Sequence, residues 1–347
     1  MPDHPLMNRF GPPRSIRRWH ARLSGLISLA LVGGLFLAIS AMSAAANPDS
    51  WRAEGWKTDF SKSGIDFASV MSGGPPRDGI PPIDDPSFLP VAEASGLDAK
   101  EPVMSVAIDG QARAYPLRIM IWHEIVNDTL AGLPISVTYC PLCNAAIVFE
   151  RTVEGVATSF GTTGKLRNSD LIMYDRETES WWQQFTGEAI AGSRTGTMLK
   201  VIPSRLESWQ SFRERFPEGE VLVPGNPGLR DYGRNPYAGY DSSAVPFLYR
   251  GPMPDGISPL SYVVVVRDGP EPLAISLDRL RREQTFESDG VKIEWLPGVR
   301  SVLDTSAIEE GREIGSVNVT RKGEPVAHEL TFAFVVRAFL PETAILK

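Results

Sequence analysis

SYVVVVRDGPEPLAISLDRL, residues 261–280, runs a β-branched stretch into an Asp268-Gly269 turn, then a second apolar stretch and a short helical piece. VMSVAIDGQARAYPL, residues 103–117, does the same around Asp109-Gly110. Two such runs joined by Asp-Gly are a hairpin signal, because that pair accepts the positive φ of a tight turn. Downstream, VKIEWLPG (291–298) stands where the earlier copy has PISVTYCP (134–141). The sequence therefore predicts a degenerate internal duplication, offset by about 159 residues. The alternative is two unrelated hairpins that share a common turn.

Other stretches extend the pattern. LPISVTY (133–139) reads as a strand running into Cys140, and AAIVFERTVEGVATSFG (145–161) as a hairpin turning at Glu154-Gly155. DLIMYDRETESWWQQF (170–185) is strand-turn-strand, and RIMIWHEIVNDTLAG (118–132) a short helix or helix-like turn. The predicted class is α+β and β-rich, built of short strands and hairpins with few short helices. Residues 47–100, rich in Pro, Gly and Asp, predict an extended lead-in. A first unit spans 101–223, a long ordered loop 224–260 and a second, degenerate unit 261–347.

Residues 1–46 carry a basic stretch, an apolar run from Leu23 to Met42 and small residues at Ala44 and Ala46. That order predicts a secretory signal, with an uncleaved anchor as runner-up. Arg17-Arg18 lacks the apolar follow-on of a twin-arginine signal. Removing this segment takes away five Arg and one Asp, leaving 30 basic against 41 acidic side chains. An acidic chain with no basic block does not predict nucleic-acid binding. Expected is a soluble periplasmic or otherwise extracytoplasmic protein, touching the membrane only through the leader. Its partner is an unspecified small-molecule substrate or metal donor.

Cys140 and Cys143 are the chain's two cysteines, separated by Pro141 and Leu142. Two thiolates on one tight turn can reach one soft ion at about 2.3 Å. They can also form a disulfide reversibly, or act as a staple whose short loop stabilises weakly. In a thioredoxin-like site the pair opens a helix, whereas here a hairpin pattern follows it. His123 is the histidine nearest in sequence and the natural imidazole ligand; His328 reads as structural. Met173 and Asp170 are weaker ligand candidates. HEIVND (123–128) is not a zinc-protease motif, since position 127 is Asn.

Residues 160–192 concentrate polar groups among apolar ones. Asp170, Tyr174, Asp175 and Glu188 are candidate catalytic residues, since carboxylates against aromatic walls are tunable acids and bases. Glu177 and Glu179 read as solvated. GTTGK (161–165) lacks the spacing and hydroxyl of a phosphate loop, so no nucleotide cofactor is expected.

HEIVND, VTYCPLCNAAIVFER (137–151), FGTTGKLRNSDLIMYDRETESWWQQFTGEAIAG (160–192) and HELTFAFVVRAFLPET (328–343) resemble the bacterial and archaeal family named domain of unknown function 3179. The resemblance spans roughly residues 85 to 345. It implies no activity. It does place His123, Glu124, Asn127, Cys140, Cys143, Asn168, Asp170, Tyr174, Asp175, Trp182, Gln184 and Glu188 on recurring motifs. Trp181 departs from the aliphatic residue expected there, which should alter packing.

The functional expectation is a thiolate–imidazole metal site of Cys140, Cys143 and His123, of a kind an oxidoreductase could use. Copper is placed ahead of zinc because of the compartment. The alternatives are a metal-free dithiol oxidoreductase and a non-catalytic binding protein with a structural disulfide.

Overall fold

A computed structural model describes residues 47–269 and 271–347. The expected leader lies outside the described residues. Among them no helix is long and apolar enough to cross a membrane, which says nothing of a β-barrel.

The chain enters through α1 (Pro48–Ala53), capped by the Asn47 side chain. Two short strands follow, β1 (Val70–Ser72) and β2 (Ser87–Pro90). β3 (Pro102–Ile108) and β4 (Gln111–Pro116) form the expected hairpin, with Asp109 and Gly110 both at positive φ. α2 (Leu117–His123) buries Leu117, Ile119, Met120, Ile121 and His123 and ends at Glu124, whose φ is 59°. The helix is shorter than 118–132 suggested. Left-handed Glu124 breaks it, and β-branched Ile125, Val126 and Thr129 continue as β5 (Ile125–Leu130). β6 (Leu133–Cys140) and β7 (Ala145–Glu150) follow, paired so that Cys140 faces Ala145.

Next comes an excursion: β8 (Thr152–Val153), β9 (Val156–Ala157), β10 (Phe160–Arg167), β11 (Asp170–Asp175), β12 (Trp181–Gln183), β13 (Ala189–Ala191) and β14 (Lys200–Ile202). β10 to β13 form their own sheet with β1 on its edge, while β14 returns to β7. GTTGK is a bulge in β10, where a Cβ on Gly164 would lie 2.0 Å from the Pro75 carbonyl oxygen. That close approach accounts for the glycine. β15 (Ser204–Ser208), α3 (Trp209–Arg215) and β16 (Glu220–Val223) close the first half.

After the 224–260 strap, β17 (Tyr262–Val266), β18 (Leu273–Ser276), α4 (Leu277–Glu283), β19 (Thr285–Ser288), β20 (Val291–Leu296) and β21 (Ser316–Arg321) repeat the element order of β3 to β7. β22 (Glu324–Pro325), β23 (His328–Phe332), α5 (Ala333–Phe339) and β24 (Ile345–Leu346) end the chain. The pairing repeats too. β15-β3-β4-β16 matches β23-β17-β18-β24, with the last strand of each set parallel to its neighbour. β5-β6-β7 matches β19-β20-β21. The β19–β20 hairpin is shorter, so Cys140-Pro141 stands opposite Leu296-Pro297.

The protein is thus β-rich with few short helices, its small sheets arranged in a propeller-like way. Residues Ala46–Lys347 form one compact unit. One large apolar cluster draws on both halves and includes both cysteines. Trp181 is fully buried, with its ring centroid 4.7, 5.3 and 5.0 Å from those of Trp51, Trp56 and Phe60. The atypical residue therefore pins the lead-in to the excursion sheet.

Candidate metal centre

Cys140 ends β6 and Cys143 sits in the turn to β7, with the Cys143 amide donating to the Cys140 carbonyl (3.3 Å). Both are free thiols, 2% and 0% exposed. The turn is held from the far end of the chain. Thr331 Oγ1 donates to the Cys143 carbonyl (2.8 Å), and Asn144 Nδ2 donates to the Leu330 carbonyl (3.1 Å).

The excursion lays its β10–β11 turn over the thiols. Asn168 and Ser169 have φ of 53° and 65°, the pattern a two-residue type I′ hairpin loop requires. Ser169 turns its carbonyl to both sulfurs, 3.8 Å from Cys140 Sγ and 3.5 Å from Cys143 Sγ. Asp170, the next residue, is fully buried. Its Oδ2 accepts from Gln183 Nε2 (2.6 Å) and the Phe185 amide (2.9 Å), while Oδ1 has no partner. One carboxylate oxygen of Asp170 and the two sulfurs lie within 4.8 Å of one another. Thiolates on a tetrahedral ion with bonds of about 2.3 Å would be about 3.7 Å apart. Small side-chain adjustments reach that spacing, and the Ser169 oxygen already stands at about the distance of a fourth donor.

Electrostatics favour a cation. Burial pushes the Cys140 thiol up and the Cys143 thiol well up, so both hold their protons. Burial raises Asp170 to about 6, opposed by the Phe185 amide and the Gln183 side chain. Glu124 is pushed up to about 8 by burial and then by the Asp170 charge. A divalent ion would offset all three penalties, and its arrival must displace the thiol protons.

His123 stands apart from this group. Its Nδ1 meets the Pro81 carbonyl and its Nε2 the Tyr232 hydroxyl, each at 2.7 Å. Both ring nitrogens are spent, so the carboxylate of Asp170 occupies the place expected for an imidazole. Met173 packs in the main core on the opposite face of β11 from Asp170. Asp175, at the far end of β11, receives Trp182 Nε1 (2.8 Å) and Thr178 N (2.7 Å) and pairs with Arg194 (3.1 Å). Tyr174 donates to Asp78 (2.5 Å) under the guanidinium of Arg77. Glu188 is half-buried and its charge is felt by Arg167. Of the four candidate catalytic residues, the fold brings Asp170 alone to the thiols. His328 bonds the Val326 carbonyl, a local role.

The strap crosses above. Tyr232 meets His123, Tyr240 donates to the Leu142 carbonyl (3.0 Å), and the Phe247 carbonyl accepts from Ser169 Oγ (2.5 Å). Tyr237 between them is pushed up by burial and by Glu124 and Cys140. Sequence reasoning gave the strap no part in the site. A main-chain carbonyl such as that of Ser169 leaves no composition signal. The Asn-Ser turn was its one trace.

A β-rich fold with a buried Cys-Cys-Asp group is the class these observations define. The family model described as Protein of unknown function (DUF3179) matches residues 77–343, and the chain belongs to that family. No curated protein and no solved structure matches it.

Proposed function

We propose that the protein is an extracytoplasmic metalloprotein in which Cys140, Cys143 and Asp170 hold one divalent ion. The observation carrying this reading is the grouping itself: one oxygen of the fully buried Asp170 carboxylate and the sulfurs of two buried thiols lie within 4.8 Å of one another. A buried carboxylate with only weak thiol donors beside one of its oxygens is costly to keep charged, and a bound cation would remove that cost.

Zinc fits better than copper. The copper preference came from the expected compartment, whereas the donors grouped here, two thiols, a carboxylate and a carbonyl with the imidazole engaged elsewhere, suit a hard-to-borderline, redox-inert ion. The metal would tie the β10–β11 turn to the Cys turn, and the Ser169 carbonyl is its weakest donor. An oxidoreductase of the dithiol type is less well supported, since burial holds both thiols protonated and away from solvent.

The test is metal content by mass spectrometry with thiols counted on the same sample, purified without chelator. About one zinc per chain, lost in Cys140→Ser, is expected. Copper instead would restore the redox reading. No metal with no free thiols would sink the proposal in favour of a disulfide.

A further inference from the structure

We infer that a second, anion-binding site lies beside the end of α2, where Arg230 of the strap meets Trp122, and that it takes a small organic carboxylate. It uses none of the metal ligands and stands whether or not a metal binds.

Two buried N–H donors there have no acceptor, Trp122 Nε1 and Arg230 Nε. They belong to adjacent side chains, with the Arg230 guanidinium carbon 5.9 Å from the centre of the Trp122 ring. An unpaired buried donor is costly, and a charged one more so. Two together, one of them cationic, call for one acceptor bearing negative charge.

Neighbouring groups do not supply it. Asp231 pairs instead with Arg234 (3.8 Å). The Pro81 carbonyl can only accept, so His123 Nδ1 carries the proton and Nε2 accepts from the Tyr232 hydroxyl. His123 is therefore neutral, and burial and the Arg230 charge keep its pKa low. Its ring stacks within 16° of Tyr232, forming a rigid, uncharged wall beside the guanidinium. The two orphan nitrogens are themselves covered, but Trp122, Arg230 and Tyr232 are each half-buried, so a shift of the Arg230 side chain, not unfolding of the core, would open them to a ligand.

The second half supplies a contrast. The residues matching Trp122 and His123 are Arg282 and Glu283, both exposed with no strap over them. The second helix end also has an unpaired indole N–H beside an arginine, Trp295 Nε1 with the Arg281 guanidinium carbon 5.7 Å from its ring, but Arg281 is exposed and only the first half adds a buried unpaired guanidinium N–H. A planar carboxylate suits a guanidinium edge and an indole N–H better than a tetrahedral anion, because its two oxygens can meet two donors in one plane.

The experiment is a titration of the purified full chain followed by indole N–H resonances, with Trp122 assigned by the peak lost in Trp122→Phe. The probes are sodium acetate and inorganic phosphate at constant ionic strength. Acetate should shift the Trp122 peak saturably in the millimolar range. Arg230→Gln should weaken that binding about tenfold or more without lowering the melting temperature or the metal content. Three results overturn the proposal: no saturable shift with either anion, a shift that survives Arg230→Gln, or saturation by phosphate alone.

Discussion

Leu117–His123 and Leu277–Glu283 are the same helix in two halves of one molecule, and each ends on a residue forced to positive φ. Glu124 has φ 59° and Gln284 φ 66°, and each amide donates to a carbonyl four residues back at 2.7 Å. The strain therefore belongs to the topology, not to the site. What differs is chemistry. The first half puts a carboxylate there and buries it beside Asp170; the second puts an exposed amide there that bonds the Arg281 carbonyl. The first half also carries the excursion between β7 and β15, which delivers Ser169 and Asp170 to the cysteines. The second has Leu296-Pro297 where Cys140-Pro141 stands. Comparing the two separates what the scaffold requires from what the site adds.

The sharpest break is at the metal. Cys143→Ser or Asp170→Asn should abolish stoichiometric binding, and mass spectrometry of the purified variants reads this directly. Retained metal in both would mean that the first half is no more specialised than the second. Next comes the tie between strap and second half. Asp241, itself fully buried, accepts from buried Tyr262 (2.8 Å) and Ser301 (2.5 Å) and pairs with the more exposed Arg312 (2.7 Å), which also pairs with Asp304 (2.7 Å). Asp241→Asn takes the charge from the Tyr262 and Ser301 hydrogen bonds, leaves Arg312 paired with Asp304 alone, and should cost about 1.5–3 kcal/mol in urea unfolding.

Making the first half resemble the second should stabilise it. In metal-free protein Glu124→Gln should raise stability by about 3 kcal/mol at pH 7. The carboxyl titrates near 4.5 when unfolded and about 8 when folded, so between those values the native state holds the extra proton. Wild-type stability is retained below about pH 4.5 and falls as pH rises to about 8, whereas the glutamine variant lacks that decline. Unfolding curves that run parallel across the window would contradict the burial of Glu124. The smallest effect is at the strap. Tyr240→Phe removes the hydrogen bond to the Leu142 carbonyl and the one accepted from the Phe247 amide (3.3 Å), and should cost about 1–2 kcal/mol, with faster metal loss to a chelator.

The halves were legible because β-branched runs and Asp-Gly turns are local signals, and both survive in each copy. The β11–β12 strand-turn-strand was legible from its apolar runs and the strap from its Pro, Gly and Tyr content, but the β10–β11 hairpin was not, because its Asn168-Ser169 turn lacks the Asp-Gly signal. The end of α2 was not, since nothing about Glu124 itself favours the left-handed region. The thiol pair was readable from spacing, while its third partner, Asp170, stood only as a weaker candidate behind His123. His123 is nearer in sequence, yet tertiary packing sends it to Pro81 and Tyr232 and brings Asp170 across a sheet instead.

The clasp of Thr331 on the Cys143 carbonyl joins residues 188 positions apart. Contacts of such separation form late, because closing a long loop costs entropy before the contact repays it. In the unfolded chain the two thiols are open to oxidant, and in an oxidising medium they can pair only with each other within the chain. We therefore expect metal to select the finished fold, with oxidation competing during folding. Refolding under air with and without zinc, quenched by a thiol-blocking reagent at intervals, reads that race. Equal disulfide yield in both would show that the ion arrives too late to matter.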